Sequence, residues 1–138
     1  IDCAGTKRFL SGGRVLGCYS PLGRVIEGSR LYVCEGWATG ATLHIHTGHP
    51  VVCAMNAGNL RAVALAMRAL HGQSVELVIA GDDDRQTRGN PGRTAANRAA
   101  FDAGALVVFP EWPQQAPPEL SDFNDLHLWR NQLWEAKP

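Results

Sequence analysis

The sequence has no run of eighteen apolar residues and no charged opening followed by an apolar stretch, so it offers neither a membrane span nor a signal peptide. A soluble, cytoplasmic protein with no membrane partner is the expectation. Cysteine is sparse: Cys3, Cys18, Cys34 and Cys53 stand far apart in apolar surroundings without a C-x-x-C pair. That argues against a zinc ribbon and against a dense disulfide framework, and the four read as reduced packing residues. Net charge is missing too, with 13 Lys plus Arg against 13 Asp plus Glu, so overall charge makes no case for a polyanionic partner. Gly36 and Gly40 form no nucleotide fingerprint, because neither the Walker lysine nor the G-x-G-x-x-G spacing accompanies them. The two tyrosines, Tyr19 and Tyr32, have no context that supports a nucleophile.

What is present fits one domain: 138 residues with 45% hydrophobic content can bury a core unaided. From Leu31 onward short apolar runs alternate with helical patterns, the sign of βαβ units in an α/β fold with a roughly four-stranded, mainly parallel sheet. Strands are expected at Leu31 to Cys34, Val51 to Ala54, Val75 to Ala80 and Ala105 to Phe109, all nearly continuous in apolar character, as buried parallel strands are. Leu60, Val63, Ala64, Met67 and Leu70 recur at helical spacing, with Arg61 and Arg68 on the other side. Thr94 to Ala103 reads as an alanine-rich helix stopped by Gly104. After a proline-marked loop, Leu126, Trp129 and Leu133 set a last helix. Residues 1–30 are glycine-rich, with Val15, Cys18 and Tyr19 suggesting short strands in a small β element packed beside the sheet. The division is therefore 1–30 and 31–138, and the opening at Ile1 suggests a piece of a longer protein.

Acids collect where such a fold places ligands. Glu35 follows the first strand directly, and VIAGDDD brings Asp82, Asp83 and Asp84 to the end of another, so two strand ends deliver carboxylates to one edge. Side chains alternate in extended backbone, so Asp82 and Asp84 point to one side and Asp83 to the other. Carboxylates gathered in one place repel, and a cation compensates them; hard oxygen donors select magnesium, manganese or calcium. Acids at strand ends also cap helices or sit solvated in loops, and that alternative stands for each one singly. Arg85, Arg88, Arg93 and Arg98 follow the aspartates and could serve a phosphate backbone, or simply face solvent.

The segments CEGWATG, the strand running into DDD, and DFNDL together resemble the Toprim domain of bacterial primases, topoisomerases and some nucleases. The resemblance covers nearly the whole chain and is strongest to primases of conjugative plasmids and phage-type primase-helicases, on GGRVLGCY, EGWATGATLH, NAGNL and AGDDDRQTRGNPG. It implies a DNA primase activity, template-directed primer synthesis by nucleotidyl transfer for plasmid, phage or mobile-element replication. Catalytic Glu35, Asp82 and Asp84 would ligate Mg2+ or Mn2+, with Asp122 and Asp125 as further metal candidates; Asp122 is equally an N-cap for the last helix. Lys7, Arg8, Arg14, Arg85 and Arg88 become candidates for holding nucleoside triphosphate or the single-stranded DNA template. Fused zinc-binding or helicase domains are implied partners. The chain departs from the common pattern in carrying Gln86 and Thr87 after Asp84, with glycine delayed to Gly89 and Gly92, so a longer loop is expected there. A Toprim nuclease, or a non-catalytic metal- and nucleic-acid-binding module of a replicative helicase, are the alternatives; a topoisomerase would need a nucleophilic tyrosine from elsewhere.

Two further clusters do not point to chemistry. Of His44, His46 and His49, the first two face about 200° apart on a helix and are poorly placed to share one ion, so the three read as helix-end and loop histidines. Trp112, Trp129 and Trp134 could stack on bases, but their place around the last helix favours apolar burial.

Overall fold

The computed structural model describes residue 9 and residues 11–135. The chain runs β1 (Ser20–Leu22), β2 (Arg30–Cys34), α1 (Trp37–Thr47), β3 (Val51–Cys53), α2 (Ala57–His71), β4 (Glu76–Ala80), α3 (Pro91–Ala103), β5 (Leu106–Val108) and α4 (Phe123–Glu135). One sheet has the order β1-β3-β2-β4-β5, with β2, β3, β4 and β5 parallel and β1 antiparallel against β3. The α/β class and the four parallel strands agree with the sequence pattern. The N-terminal element differs from expectation. Among the described residues it is one strand at Ser20–Leu22, just after Tyr19, and it joins the sheet as a fifth strand instead of packing beside it.

The crossovers explain the two-sided burial. From β2 the chain goes through α1 outward to β3, returns through α2 across the sheet to β4, and continues through α3 to β5. Helices α2 and α3 therefore share one face and α1 and α4 the other. Alternate residues of β2 and β4 serve the two faces: Leu31, Val33, Leu77 and Ile79 meet Leu60, Val63 and Met67, while Tyr32, Cys34, Val78 and Ala80 turn toward Leu43. Each fully buried aliphatic side chain here contributes about 1.5–3 kcal/mol.

Helix α2 buries Leu60, Val63, Ala64 and Met67 as its spacing predicts, but Leu70 is 66% exposed, because the helix has by then run past the sheet. Arg68 is not simply turned to solvent. Its guanidinium donates to the carbonyls of Ala103 and Gly104, fastening α2 to the end of α3. Helix α3 starts three residues earlier than its alanine run suggested, and Gly104 ends it in the left-handed region. In α4, Leu126 is buried and Trp129 half-buried, whereas Leu133 is exposed. Cys34 and Cys53 are buried packing residues, but Cys18 is exposed. Cys3 lies outside the described residues.

Candidate active site: a carboxylate edge at the switch point of the sheet

The connection leaves β2 toward one side of the sheet and leaves β4 toward the other, so their carboxyl ends flank a crevice, the place where open α/β sheets bind ligands. Cys34 pairs with Ala80 in register, so Glu35 and the Gly81-Asp82 pair emerge side by side. A third element is tied to them. The Asp83 N–H donates to the Ser121 carbonyl at 2.7 Å, setting Ser121 and Asp122 beside the end of β4.

Asp82 is the centre of the cluster. Its Oδ1 is buried and meets no hydrogen-bond partner. Burial first, then the charges of Glu35, Asp122, Asp84 and Asp125 in that order, push its carboxyl up to about 8. Glu35 itself is only half-buried. Asp83, as strand alternation predicts, faces the other way. Burial alone would raise it, but hydrogen bonds from Arg93 at 3.0 Å and Asn90 at 2.7 Å outweigh that and hold its carboxyl below the usual value. Asp84 stays on the Asp82 side yet commits Oδ2 to the Gly92 N–H at 2.8 Å, closing the start of α3.

Asp122 and Asp125 form a reciprocal cap on α4. Asp122 Oδ1 accepts from the Asp125 N–H at 2.8 Å, while Asp125 Oδ2 accepts from the N–H groups of Ser121 at 2.9 Å and Asp122 at 3.4 Å. The N-cap alternative for Asp122 is thus realised, and its second oxygen is held by the Thr39 hydroxyl at 2.8 Å. Thr39 is 1% exposed in the first turn of α1. With the Thr42–Asn124 hydrogen bond one turn on, it joins α1 to α4 directly over the edge.

The basic candidates separate. Arg85 reaches back to the carbonyls of Pro117 and Leu120 and lies 4.5 Å over the Trp112 ring, bracing the proline-rich loop. Trp112 is therefore the base under that arginine. Arg93 is bound to Asp83 and sits over Phe109 at 4.0 Å, and Arg98 pairs with Asp102, which also holds Arg61. Arg88 is exposed in the loop after Asp84, and Arg14 is exposed in a concavity that it shares with Met55, after β3. Lys7 and Arg8 lie outside the described residues. The histidines diverge as expected: His44 bonds the His49 carbonyl, and His46 meets His127 of α4 at 2.9 Å.

Sequence reasoning missed Thr39 and Asn90. Asn90, at φ 42°, caps α3 by accepting from the Arg93 N–H and also accepts from the Asp84 N–H at 2.9 Å. An Asn-Pro pair ahead of an alanine-rich run is a helix-start signature that could have found it. Thr39 carries no such local signal, because its partner lies 83 residues away.

The donors fit a hard cation chemically: the set is all carboxylate, and one buried oxygen at its centre lacks any protein partner. Among the described residues, however, no three His, Cys, Asp or Glu side chains are drawn together as a metal-holding group.

An α/β sheet with acids at its switch point defines the class, and comparison gives the family. The chain belongs to the Toprim domain family, whose model matches residues 30–131. Among curated proteins it is similar to a DNA primase TraC of Escherichia coli, 41% identical over 128 residues, covering 83% of this chain and 12% of that protein. A second DNA primase TraC of Escherichia coli is 37% identical over 144 residues, covering 93% of this chain and 10% of the relative. The chain thus spans about a tenth of the length of these relatives. No solved structure gives a significant match.

Proposed function

We propose that the carboxylate edge binds magnesium or manganese and that the chain is the nucleotidyl-transfer domain of a primase serving plasmid, phage or mobile-element replication. In this reading residues 31–138 carry the catalysis and residues 1–30 are its β-rich N-terminal segment. The observation that carries the proposal is Asp82, half-buried, with its Oδ1 buried and without a hydrogen-bond partner and with the charges of four more acids acting on it. Such a group either keeps its proton or takes a cation to offset the repulsion, and a cation is what an edge of ionised carboxylates would attract.

A divalent ion held there supplies the positive charge that stabilises an attacking 3′-oxygen and a departing pyrophosphate. Asp82 and Glu35 are the primary holders, with Asp84 contributing the oxygen that does not cap α3. Asp122 and Asp125 act through the α4 cap, which Thr39 keeps turned to the edge. Glu35, on the half-buried rim, either shares the ion or accepts the proton of the attacking hydroxyl. Arg88 and Arg14 flank the edge as anion-holding groups for triphosphate and single-stranded template; Arg85 serves them indirectly by bracing the loop. Fused zinc-binding or helicase domains would then fall in the remaining length that the relatives possess.

Calorimetric titration of magnesium and manganese, with and without a nucleoside triphosphate, tests this in the wild type and in the Asp82→Asn, Asp84→Asn double variant. Binding that the triphosphate strengthens and the variant loses is the expected result, with Glu35→Gln abolishing primer synthesis in the presence of template. Equal or absent metal binding in both proteins rejects the site. Metal binding indifferent to triphosphate, together with strand cleavage, favours a nuclease using the same carboxylates on water.

A further inference from the structure

Beyond the carboxyl end of β3, beside Glu35, a second concavity of about 190 Å³ is lined by Phe9, Arg14, Val15, Tyr19 and Met55. It adjoins the acid edge through the backbone, since the Met55 N–H donates to the Glu35 carbonyl at 2.7 Å. Its lining is unusual for a surface. Phe9, Tyr19 and Met55 are 50%, 40% and 36% exposed, three large apolar side chains along one small groove. Met55 also sits at φ 72°, a left-handed backbone that disfavours any residue but glycine, so the turn presenting its side chain is held against a local preference.

The groove is pre-formed. Asn59, 2% exposed, donates to the Cys18 and Ala54 carbonyls at 2.7 and 2.8 Å and accepts from the Gly17 N–H at 2.7 Å, clamping the wall that carries Tyr19 to the end of β3. Among the described residues the lining holds one cation, Arg14, and no carboxylate, in contrast to the acids next door. Planar and flexible apolar groups around a small slot, with a guanidinium at the rim, match an unpaired base and its phosphodiester. The slot is too small for a helix or a strand.

We propose that this groove is a stacking subsite for one unpaired base of a single-stranded nucleic acid whose backbone continues past Glu35 to Asp82. The inference rests on the reading of that edge as a nucleotidyl-transfer site. It is tested by fluorescence anisotropy of a short fluorescein-labelled oligothymidylate with the 138-residue chain in magnesium buffer. Tyr19→Ala should weaken binding about tenfold and Tyr19→Phe by less than about twofold, since stacking needs the ring and not the hydroxyl. Arg14→Gln should lower the salt dependence by about one phosphate contact. Equal affinity of wild type and Tyr19→Ala, equal losses in Tyr19→Ala and Tyr19→Phe, or no binding by wild type overturns the subsite. Magnesium calorimetry on the same proteins separates the two readings. Tyr19-dependent binding without any magnesium uptake leaves the subsite standing and removes the transfer site; magnesium uptake without Tyr19 dependence does the reverse.

Discussion

Asp82 shows how a single residue can report on the whole site. Its carboxyl is raised from 3.8 to about 8, mainly by burial and next by Glu35. The folded protein therefore keeps a proton that the unfolded chain releases, and stability falls as pH rises through that window, being fully present only below about 4. Asp82→Asn removes the titration. In metal-free buffer the variant should melt at about the same temperature as the wild type near pH 4 and above it near pH 8, by on the order of a few kcal/mol at most. Magnesium should close the gap at pH 8 by stabilising the wild type alone; a gap independent of pH would show that the carboxyl is not strained. Strand alternation made the opposite directions of Asp82 and Asp83 legible beforehand. The partners were not legible, because Asn90 and Arg93 come back to Asp83 only after the intervening loop has turned.

At the scale of elements, the helix starts carry the site. Asp84, Asn90 and Gly92 lock the entry to α3, and Asp122 with Asp125 locks the entry to α4. Asn90 combines a cap with a left-handed backbone, and the two roles can be separated. Asn90→Gly keeps the backbone and loses the side-chain bonds; Asn90→Ala loses both. Urea unfolding should rank the wild type above Asn90→Gly and that above Asn90→Ala, with alanine costing about 2 kcal/mol. Alanine matching glycine would mean that the left-handed conformation costs nothing there. Helix existence was evident from periodicity, but the start of α3 was set three residues late because an alanine run marks the middle of a helix better than its cap.

At the scale of the molecule, the layers meet where side chains are smallest. A Cβ added to Gly40 would stand 2.3 Å from the Cys53 sulfur and 3.2 Å from that of Cys34, so α1 reaches the sheet only because this residue has no side chain. The same approach brings Thr39 to Asp122. Gly40→Ala should destabilise by about 1–3 kcal/mol in chemical denaturation and weaken magnesium binding by shifting α1. Adding Cys53→Ala should recover part of the stability, so that the double variant is better than the sum of the two single changes. Strict additivity would place the contact elsewhere.

Short continuous apolar runs and a 3.6-residue helical period were enough to specify an α/β chain, the four parallel strands and the acids that end two of them, because these patterns are local and burial demands them. The antiparallel fifth strand, the outward turn of Leu70, the arginines spent on carbonyls and aspartates, and Thr39 holding Asp122 depended on the tertiary structure. Apart from the i,i+4 pair of Arg98 and Asp102, each of them depends on where residues far apart in the chain come together, and no local periodicity encodes which surfaces a crossover will bring together.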